Sequence, residues 1–227
     1  MRIVLFLVAA LMIVSLSWEI LSKAFGTRRM PAYVVNLKRR TDRLRRLRRN
    51  NPSGYDVVEA VDAADRELPT RQWGGADADR RLTPGMVACF MSHRSVWKRI
   101  VEAGHPFALV LEDDADVVID DARKTIAEYV DALLPGWNLL FLGTNDAHAK
   151  TSDLKEFSGD VHVATGVFYG THCYVISRDC AADLLDKTSE GFDQPVDVYM
   201  HMNVATGRYV VHPAFVNAFD LSDSDTS

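Results

Sequence analysis

Short apolar runs alternate with helical patterns from Pro31 onward, and this alternation limits the possible folds more than any other feature of the chain. The first run, AYVVNL, is β-branched and apolar, as expected of a strand buried on both faces. Strands that alternate with helices predict a mainly parallel, doubly wound α/β sheet in one domain. The predicted strands are 32–37, 55–61, 107–111, 137–142, 170–176 and 209–212.

Capping residues mark the predicted helices between these strands. Thr83 precedes Pro84, which suits the first helical position, and Gly104 stands where a C-terminal glycine ends a helix. Ser177 offers another N-cap. The predicted helices begin at Thr41, lie between Thr83 and Gly104, contain Ile126 to Leu133, and cover 178–185.

Composition and charge exclude several classes of protein. The chain has 227 residues, of which 48% are hydrophobic and 25% charged, so a globular domain is expected and disorder is not. A net charge of −5 argues against a nucleic-acid partner, although 38–49 is strongly basic. The three cysteines form no CxxC pair and are odd in number, which argues against a disulfide framework and a zinc knuckle. We expect them to be buried small hydrophobic residues, since none has the local signature of a catalytic cysteine.

The first 25 residues form a separate hydrophobic segment, expected to be helical. Ile3 to Val14 is unbroken apolar sequence, which fits either a signal-peptide core or a short single-pass membrane anchor. Ser15 and Ser17 would suit a cleavage site, but we favour a retained anchor that makes the protein membrane-associated. The positive residues that follow favour a cytosolic domain, although this leaves the side of the membrane open.

An acidic cluster directly follows the predicted strand 107–111. In LVLEDDADV, Glu112, Asp113 and Asp114 are adjacent carboxylates that need protonation, a cation or a metal to be tolerated. The carboxyl end of a strand is where open α/β sheets bind ligands, and Mg²⁺ or Mn²⁺ prefers such oxygen ligands. We therefore predict a metal site at Asp114 and one neighbour. The alternative is a set of solvated loop acids, which we favour for Asp116, Asp120 and Asp121.

Several basic and polar residues have two interpretations from the sequence alone. Arg40 and Arg43 open a helix after a strand, where phosphate is favoured, but a solvated helix face would look the same. His93 lies on an apolar helical stripe and could be a catalyst or a hydrogen-bonded core histidine. The absence of GxGxxG after a strand and of GxxxxGK[ST] argues against dinucleotide binding and P-loop chemistry.

Five blocks in order resemble glycosyltransferase family 25, the lipooligosaccharide and procollagen galactosyltransferase type. They are YVVNLKRRTDRLRRL, GMVACFMSHRSVW, LVLEDDADV, GTHCYVISRDCAADLL with QPVDVYM, and YVVHPAFVNAFDLSDSD. The resemblance covers 31–223 and implies a GT-A-like, Rossmann-like fold. It also implies transfer of a hexose, often galactose, from a UDP-sugar with inversion and help from Mn²⁺ or Mg²⁺. Met91 departs from the small residue or leucine that is usual there.

The resemblance assigns expected roles to residues of this chain. Asn36, Arg40 and Arg43 match the opening motif near the nucleotide, together with Ser92 of the second block. Glu112, Asp113 and Asp114 match the acidic metal motif. His93 and Asp197 are the expected catalytic residues, with Asp197 as the base that takes the acceptor proton. For Asp197 a helix-start acid is an equal alternative, and His212, which could complete the metal shell, is more often structural in such a setting.

The predicted function is metal-assisted transfer of a hexose from a UDP-sugar to a hydroxyl group of a glycan, glycolipid or glycoprotein. One alternative is an inactive scaffold that keeps the fold and binds nucleotide. Another is a metal-dependent phosphotransferase or nuclease, which needs a second group of carboxylates near the first metal. For that group the sequence offers Asp146, Asp193 and Asp197.

Overall fold

A computed structural model describes residues 30–51, 53–64, 82–144 and 153–218. The predicted anchor of 1–25, Asp146 and the end of the predicted domain at 219–223 lie outside this part of the chain. Among the described residues, no helix has both the length and the apolar character needed to cross a membrane.

Five helices and ten strands form the described part of the chain. The helices are α1 (Thr41–Asn50), α2 (Pro84–Glu102), α3 (Ile119–Ala132), α4 (Arg178–Lys187) and α5 (Val196–Asn203). The strands are β1 (Ala32–Asn36), β2 (Asp56–Glu59), β3 (Phe107–Glu112), β4 (Ala115–Asp116), β5 (Leu139–Gly143), β6 (Leu154–Ser158), β7 (Val161–Ala164), β8 (Cys173–Ser177), β9 (Arg208–Val211) and β10 (Asn217–Ala218).

The main sheet has the strand order β2-β1-β3-β8-β5-β9-β7-β6. Strands β2, β1, β3, β5, β9 and β6 point in one direction, whereas β8 and β7 point in the opposite direction. This confirms a mainly parallel α/β fold with flanking helices. Because β8 is reversed, its first residue, Cys173, pairs with Leu111 near the end of β3 and with Gly143 at the end of β5.

Both faces of the sheet are buried, as the apolar strands predict. Along β3, Ala108 and Val110 belong to one core, whereas Leu109 and Leu111 belong to the other. Helices α2, α4 and α5 cover the first core, and α1 and α3 cover the second. The alternation of neighbouring residues between two dry faces explains why β3 is continuously apolar.

The predicted caps of two helices are confirmed. The Thr83 side chain accepts a hydrogen bond from the Met86 backbone N at 3.1 Å, and the Ser177 side chain accepts one from Cys180 N at 3.1 Å. Gly104 follows α2 with φ of +67°, the left-handed conformation that ends many helices.

Several features differ from the sequence prediction, among them the reversal of β8 and the small sheet of β4 and β10. Residues 170–172, predicted as strand, form a loop before β8. The hairpin of β6 and β7 was not predicted, because β6 (LKEFS) is mostly exposed and lacks an apolar run. Helix α5 was predicted only as the alternative in which Asp197 starts a helix, because five of its eight residues are buried and no single helical stripe is visible in VDVYMHMN; the structure confirms that alternative.

Candidate active site

The candidate site lies where the parallel strands β1 and β3 end side by side. Val35 pairs with Glu112 in the parallel register, so Asn36 and Asp113 emerge at the same edge of the sheet. The Asn36 side-chain amide donates to Asp113 Oδ2 at 2.6 Å. This edge is the place where open α/β sheets bind ligands, in agreement with the position predicted for the acidic cluster.

Asp113 is held by two partners. Besides the bond from Asn36, its Oδ1 accepts a hydrogen bond from Arg43 Nη1 of α1 at 3.0 Å. Burial raises the pKa of Asp113, while these two hydrogen bonds oppose the increase. Since both carboxylate oxygens already accept protein donors, Asp113 is better suited to anchoring α1 on the sheet than to the predicted metal ligation.

Asp114, unlike Asp113, has a carboxylate oxygen that is not satisfied by hydrogen bonds from the described residues. Its Oδ1 is buried and has no hydrogen-bond partner among the described residues, and the Arg43 guanidinium lies 4.0 Å from its Oδ2. Burial, and then the neighbouring Glu112 carboxylate, raise the pKa of Asp114 to about 7. A divalent cation would give the orphaned oxygen a partner and neutralise this repulsion, so the residues present fit the predicted metal.

Glu112 is stabilised as a carboxylate. Thr171 donates to its Oε1 at 2.5 Å, and Nε2 of His93 lies 3.3 Å from the same atom. Burial alone would raise the pKa of Glu112, but the contacts with His93 and the Thr171 hydroxyl outweigh it and lower the pKa to about 2. Because both contacts fall on Oε1, the second oxygen remains available to a ligand.

Cys89 joins this group, which the sequence analysis missed. Cys89 and His93 are one helical turn apart on α2, and one donor atom from each of Cys89, His93 and Glu112 lies within 4.8 Å of the other two. Cys173 and Cys180 are buried as predicted, but Cys89 is only partly buried. Burial raises the pKa of the Cys89 thiol, which favours the protonated form over a nucleophilic thiolate. The i, i+4 spacing in CFMSH was the available signal.

A cavity of about 370 Å³ opens beside these carboxylates, between the start of α1, the loop after β2 and the first half of α2. Arginines and the acidic cluster both line this cavity, and Arg43 lies directly beside Asp113. The charged and polar residues that line it include Arg39, Arg43, Ser92, His93, Glu112 and Asp114. A cavity with both cationic and carboxylate groups suits a diphosphate together with a divalent cation.

Two of the residues predicted to contact the nucleotide, Arg40 and Ser92, have protein partners in the structure. Arg40 does not line this cavity and its guanidinium pairs with Asp42 at 3.1 Å, whereas Arg39 lines it and pairs with Asp62 at 2.6 Å. Ser92 donates to the Ala88 carbonyl at 2.7 Å and accepts from Val61 N at 2.9 Å. Ser92 thereby ties the loop after β2 to α2 and shapes the cavity wall.

The loop before β8 completes the site from the other side. Glu112 N donates to the His172 carbonyl at 3.0 Å, and His172 Nε2 lies 3.1 Å from the Val216 carbonyl. A Cβ atom on Gly143 would lie 2.1 Å from His172 Nε2, so only glycine leaves room for this ring. The loop is therefore fixed against the end of β3, next to Thr171.

Asp197 lies in the first turn of α5 and binds the same loop. Its Oδ2 accepts from Gly170 N at 3.0 Å, and its Oδ1 accepts from Val198 N at 2.8 Å. Burial raises the pKa of Asp197, the two backbone hydrogen bonds oppose this, and the Glu112 carboxylate adds to the increase. Asp197 is not among the residues that line the cavity.

Other residues considered from the sequence lie elsewhere. His212 follows β9, which lies three strands away from β3 in the sheet, and its ring centroid is 6.1 Å from that of His162 on β7. Asp193 is exposed in the segment before α5. Neither joins the acidic cluster, so the structural interpretation of His212 stands and Asp193 offers no second metal site.

The fold and this carboxylate-lined cavity are those of an α/β protein with a site for a charged ligand, and the comparison with known families gives the class. The chain belongs to glycosyltransferase family 25, because the model of that family, described as an LPS biosynthesis protein, matches residues 30–200. This confirms the predicted family.

Individual relatives are similar over most of this chain. A glycosyltransferase 25 family member of Anopheles gambiae is 30% identical over 182 residues, and procollagen galactosyltransferase 2 of Mus musculus is 31% identical over 183 residues. The inactive glycosyltransferase 25 family member 3 of Homo sapiens is 31% identical over 183 residues. Each match covers 74% of this chain but only 29–30% of the relative, so the chain spans less than a third of their length.

Among solved structures, a mannose-1-phosphate geranyltransferase from Thermus thermophilus matches with a TM-score of 0.44 and 12% identity. The match covers 80% of this chain and 73% of that chain. A similarity at this level carries no argument about activity.

Proposed function

We propose that this chain transfers a hexose, with galactose as the first choice, from a UDP-sugar to a hydroxyl group of a glycan, glycolipid or glycoprotein. The observation that carries the proposal is the buried, unpartnered Oδ1 of Asp114 beside Glu112 and Arg43, at the edge of a cavity of about 370 Å³. Membership of glycosyltransferase family 25 supports a transferase, and the galactosyltransferase among the relatives supports the sugar.

In this proposal the residues around the cavity bind the donor. Glu112 and Asp114 would hold Mn²⁺ or Mg²⁺, which would stabilise the negative charge that develops on the departing diphosphate. Arg39 and Arg43, which also line the cavity, would contact the same diphosphate. Asn36 acts through Asp113, whose orientation it fixes.

Asp197 is the proposed base. Asp197 does not line the donor cavity, so in this proposal the acceptor hydroxyl would reach it from the side of the loop before β8, which Asp197 binds. Burial raises the pKa of Asp197, whereas that of Glu112 is lowered to about 2, and a base with the higher pKa accepts a proton more readily. In a single inverting displacement, the acceptor oxygen forms a bond to the anomeric carbon while the bond from that carbon to UDP breaks. The hydroxyl proton passes to Asp197, and the electron pair of the broken bond leaves with UDP.

The proposed partners follow from this reaction and from the hydrophobic segment of 1–25. They are the UDP-sugar donor, a carbohydrate-bearing acceptor, and a membrane reached through the hydrophobic segment of 1–25. Cell fractionation tests the membrane partner, since the intact chain should sediment with membranes and a chain that lacks 1–25 should not. Equal distribution of both chains would contradict the anchor.

The inactive scaffold is the second candidate, and a specific observation favours it. Several relatives of similar identity are named inactive or probable inactive family members, including those of Homo sapiens and Bos taurus. A scaffold of this kind would bind UDP at the same cavity without breaking the bond between the sugar and the diphosphate.

One assay separates these candidates. The intact chain is incubated with Mn²⁺ and, in turn, UDP-galactose, UDP-glucose and GDP-mannose, and free nucleotide is measured with and without mixed glycan acceptors. Acceptor-dependent release of UDP from UDP-galactose supports the proposal, whereas UDP binding without release from any donor supports the scaffold. Asp114→Asn should abolish the release and Asp116→Asn should not, because Asp116 is exposed.

A further inference from the structure

We infer that Trp97 and Tyr174 fix the proton of His93 on Nε2, and so make His93 a hydrogen-bond donor that positions Glu112 and not a metal ligand. The four side chains form one continuous chain from the core to the cavity. Trp97 Nε1 donates to the Tyr174 hydroxyl at 3.0 Å, this hydroxyl lies 2.9 Å from His93 Nδ1, and His93 Nε2 lies 3.3 Å from Glu112 Oε1.

The buried end of this series of hydrogen bonds determines which group donates in each of them. An indole N–H can only donate, so the Tyr174 oxygen must accept from Trp97. The Tyr174 hydroxyl then has one proton left, and within the described residues its remaining neighbour is His93 Nδ1. Trp97, Tyr174 and His93 are each fully buried, so water cannot replace a missing partner.

The opposite tautomer creates two unfavourable contacts. With the proton on Nδ1, the Tyr174 oxygen would accept twice and its own proton would be buried without an acceptor, which is unfavourable. In addition, the lone pair of Nε2 would face the carboxylate oxygen of Glu112. With the proton on Nε2, each donor in this series of hydrogen bonds has an acceptor. The contact with Tyr174 and the contact with Glu112 therefore both favour this tautomer.

The position of the proton on Nε2 decides whether His93 acts as a metal ligand or as a hydrogen-bond donor to Glu112. The cluster of Cys89, His93 and Glu112 has ligand types that suit a metal, but a nitrogen that carries a proton cannot ligate one. His93 therefore donates to Glu112 Oε1 together with Thr171 and turns Oε2 toward a ligand. Trp97 and Tyr174 are positioning residues, and their effect on donor binding rests on the proposed function, whereas the place of the proton does not.

Nitrogen NMR of the intact chain, labelled in histidine and free of metal and nucleotide, tests the proton directly. The His93 signals are assigned by their loss in His93→Gln. We expect a pyrrole-like Nε2 and a pyridine-like Nδ1, and we expect Tyr174→Phe to shift Nδ1 because its donor is removed. Tyr33→Phe is the matched control, since it makes the same change in the same core on β1. A proton on Nδ1 in the native chain would overturn the inference.

A second pair of variants shows which end sets the tautomer. Glu112→Gln can offer either an oxygen or an amide to His93, so the proton should stay on Nε2 while Trp97 is present. Combining Glu112→Gln with Trp97→Phe frees the Tyr174 hydroxyl to rotate, and both tautomers should then appear. If Glu112→Gln alone gives the mixture, the carboxylate sets the proton and the assigned role of Trp97 and Tyr174 is wrong.

Calorimetric titration with UDP tests whether the position of the His93 proton affects nucleotide binding. Tyr174→Phe should weaken Mn²⁺-dependent UDP binding about three- to tenfold, the effect of one lost hydrogen bond, and Tyr33→Phe should leave it unchanged. Equal affinities in the native chain and Tyr174→Phe would contradict the positioning role. If neither chain binds UDP but the NMR result is as expected, the proposed function fails and the inferred tautomer stands.

Discussion

At the scale of single residues, three consecutive carboxylates have three different environments. Glu112 has a hydroxyl and an imidazole on one oxygen, Asp113 is bound by an amide and a guanidinium, and Asp114 retains a buried oxygen without a partner among the described residues. Repulsion within the cluster is thus relieved separately at two positions and left at the third. The residue that remains unrelieved is the one that most needs a cation.

Asp114→Asn tests this difference. The amide keeps the size of the side chain but removes the charge that would attract Mn²⁺, so Mn²⁺-dependent UDP affinity should fall by at least about tenfold, or about 1.4 kcal/mol. The fold should be as stable as before or more stable, because the repulsion with Glu112 is removed. Calorimetric titration with and without Mn²⁺ measures the first effect and thermal unfolding the second. Unchanged affinity would contradict a cation at Asp114.

Arg43→Ala should affect both stability and ligand binding. Asp113 would lose the partner of a largely buried ion pair while keeping Asn36, so we expect a loss of about 3 kcal/mol in the free energy of unfolding. UDP binding should weaken because a cation is removed from the cavity. Urea unfolding and calorimetry measure the two effects. Arg45→Ala, on the exposed face of the same helix, is the control, and equal losses in both variants would contradict the role of the ion pair.

At the scale of secondary structure, helix α4 depends on its N-cap. Ser177→Ala removes the acceptor for Cys180 N and should lower the free energy of unfolding by about 1 kcal/mol. UDP affinity should not change, because Ser177 ends β8 at the edge of the sheet opposite the site. Denaturant unfolding measures the effect. Ser177→Asp restores an acceptor and should recover most of the stability, and failure to do so would show that the hydroxyl has another role.

The sequence predicted those elements whose physical signal is local. The runs around β1, β3 and β5 are continuously apolar because both faces of the sheet are dry. Thr83 and Ser177 cap helices through hydrogen bonds to residues only three positions later in the sequence. The exposed strand β6 has no such signal. The reversal of β8 could not be predicted either, because an apolar run shows where a strand lies but not its direction.

The site was predictable to a similar degree. The position of the acidic cluster at a strand end was clear, since the apolar run stops at Glu112. Arg39 lines the cavity and Arg40 does not. Which of the two does so depends on the turn between β1 and α1, where the helical period has not yet begun. The bond from Thr171 to Glu112 joins positions far apart in the sequence, so no spacing could indicate it.

At the scale of the whole molecule, His201 makes the fold sensitive to acid. It is buried against Phe141, with ring centroids 4.4 Å apart, and its Nε2 has no hydrogen-bond partner in the described part of the chain. Burial, and then the nearby Arg208 guanidinium, lower the pKa of His201 to about 3. The unfolded chain takes up this proton near pH 6.5, so between about pH 6.5 and 3 the unfolded state binds more protons and stability falls as the pH falls.

The expected slope from this residue is about 1.4 kcal/mol per pH unit below pH 6.5. Urea unfolding at several pH values measures it, and His201→Met should reduce the slope by that amount because the uncharged side chain cannot bind the proton. His162→Gln on the hairpin strand β7 serves as the control. An identical slope in His201→Met and the native chain would show that His201 is not the group responsible.

The reversed strand β8 divides the site between two parts of the chain. The cavity and its carboxylates come from residues 35–114, whereas the loop before β8 and the start of α5 bring Thr171 and Asp197 to the same edge from later in the sequence. The two parts are joined along the whole antiparallel pairing of β3 with β8, as well as at Glu112. Ligand binding at this cavity should therefore report on completion of the sheet, because a fragment that ends before the loop preceding β8 lacks Thr171, the hydroxyl partner of Glu112.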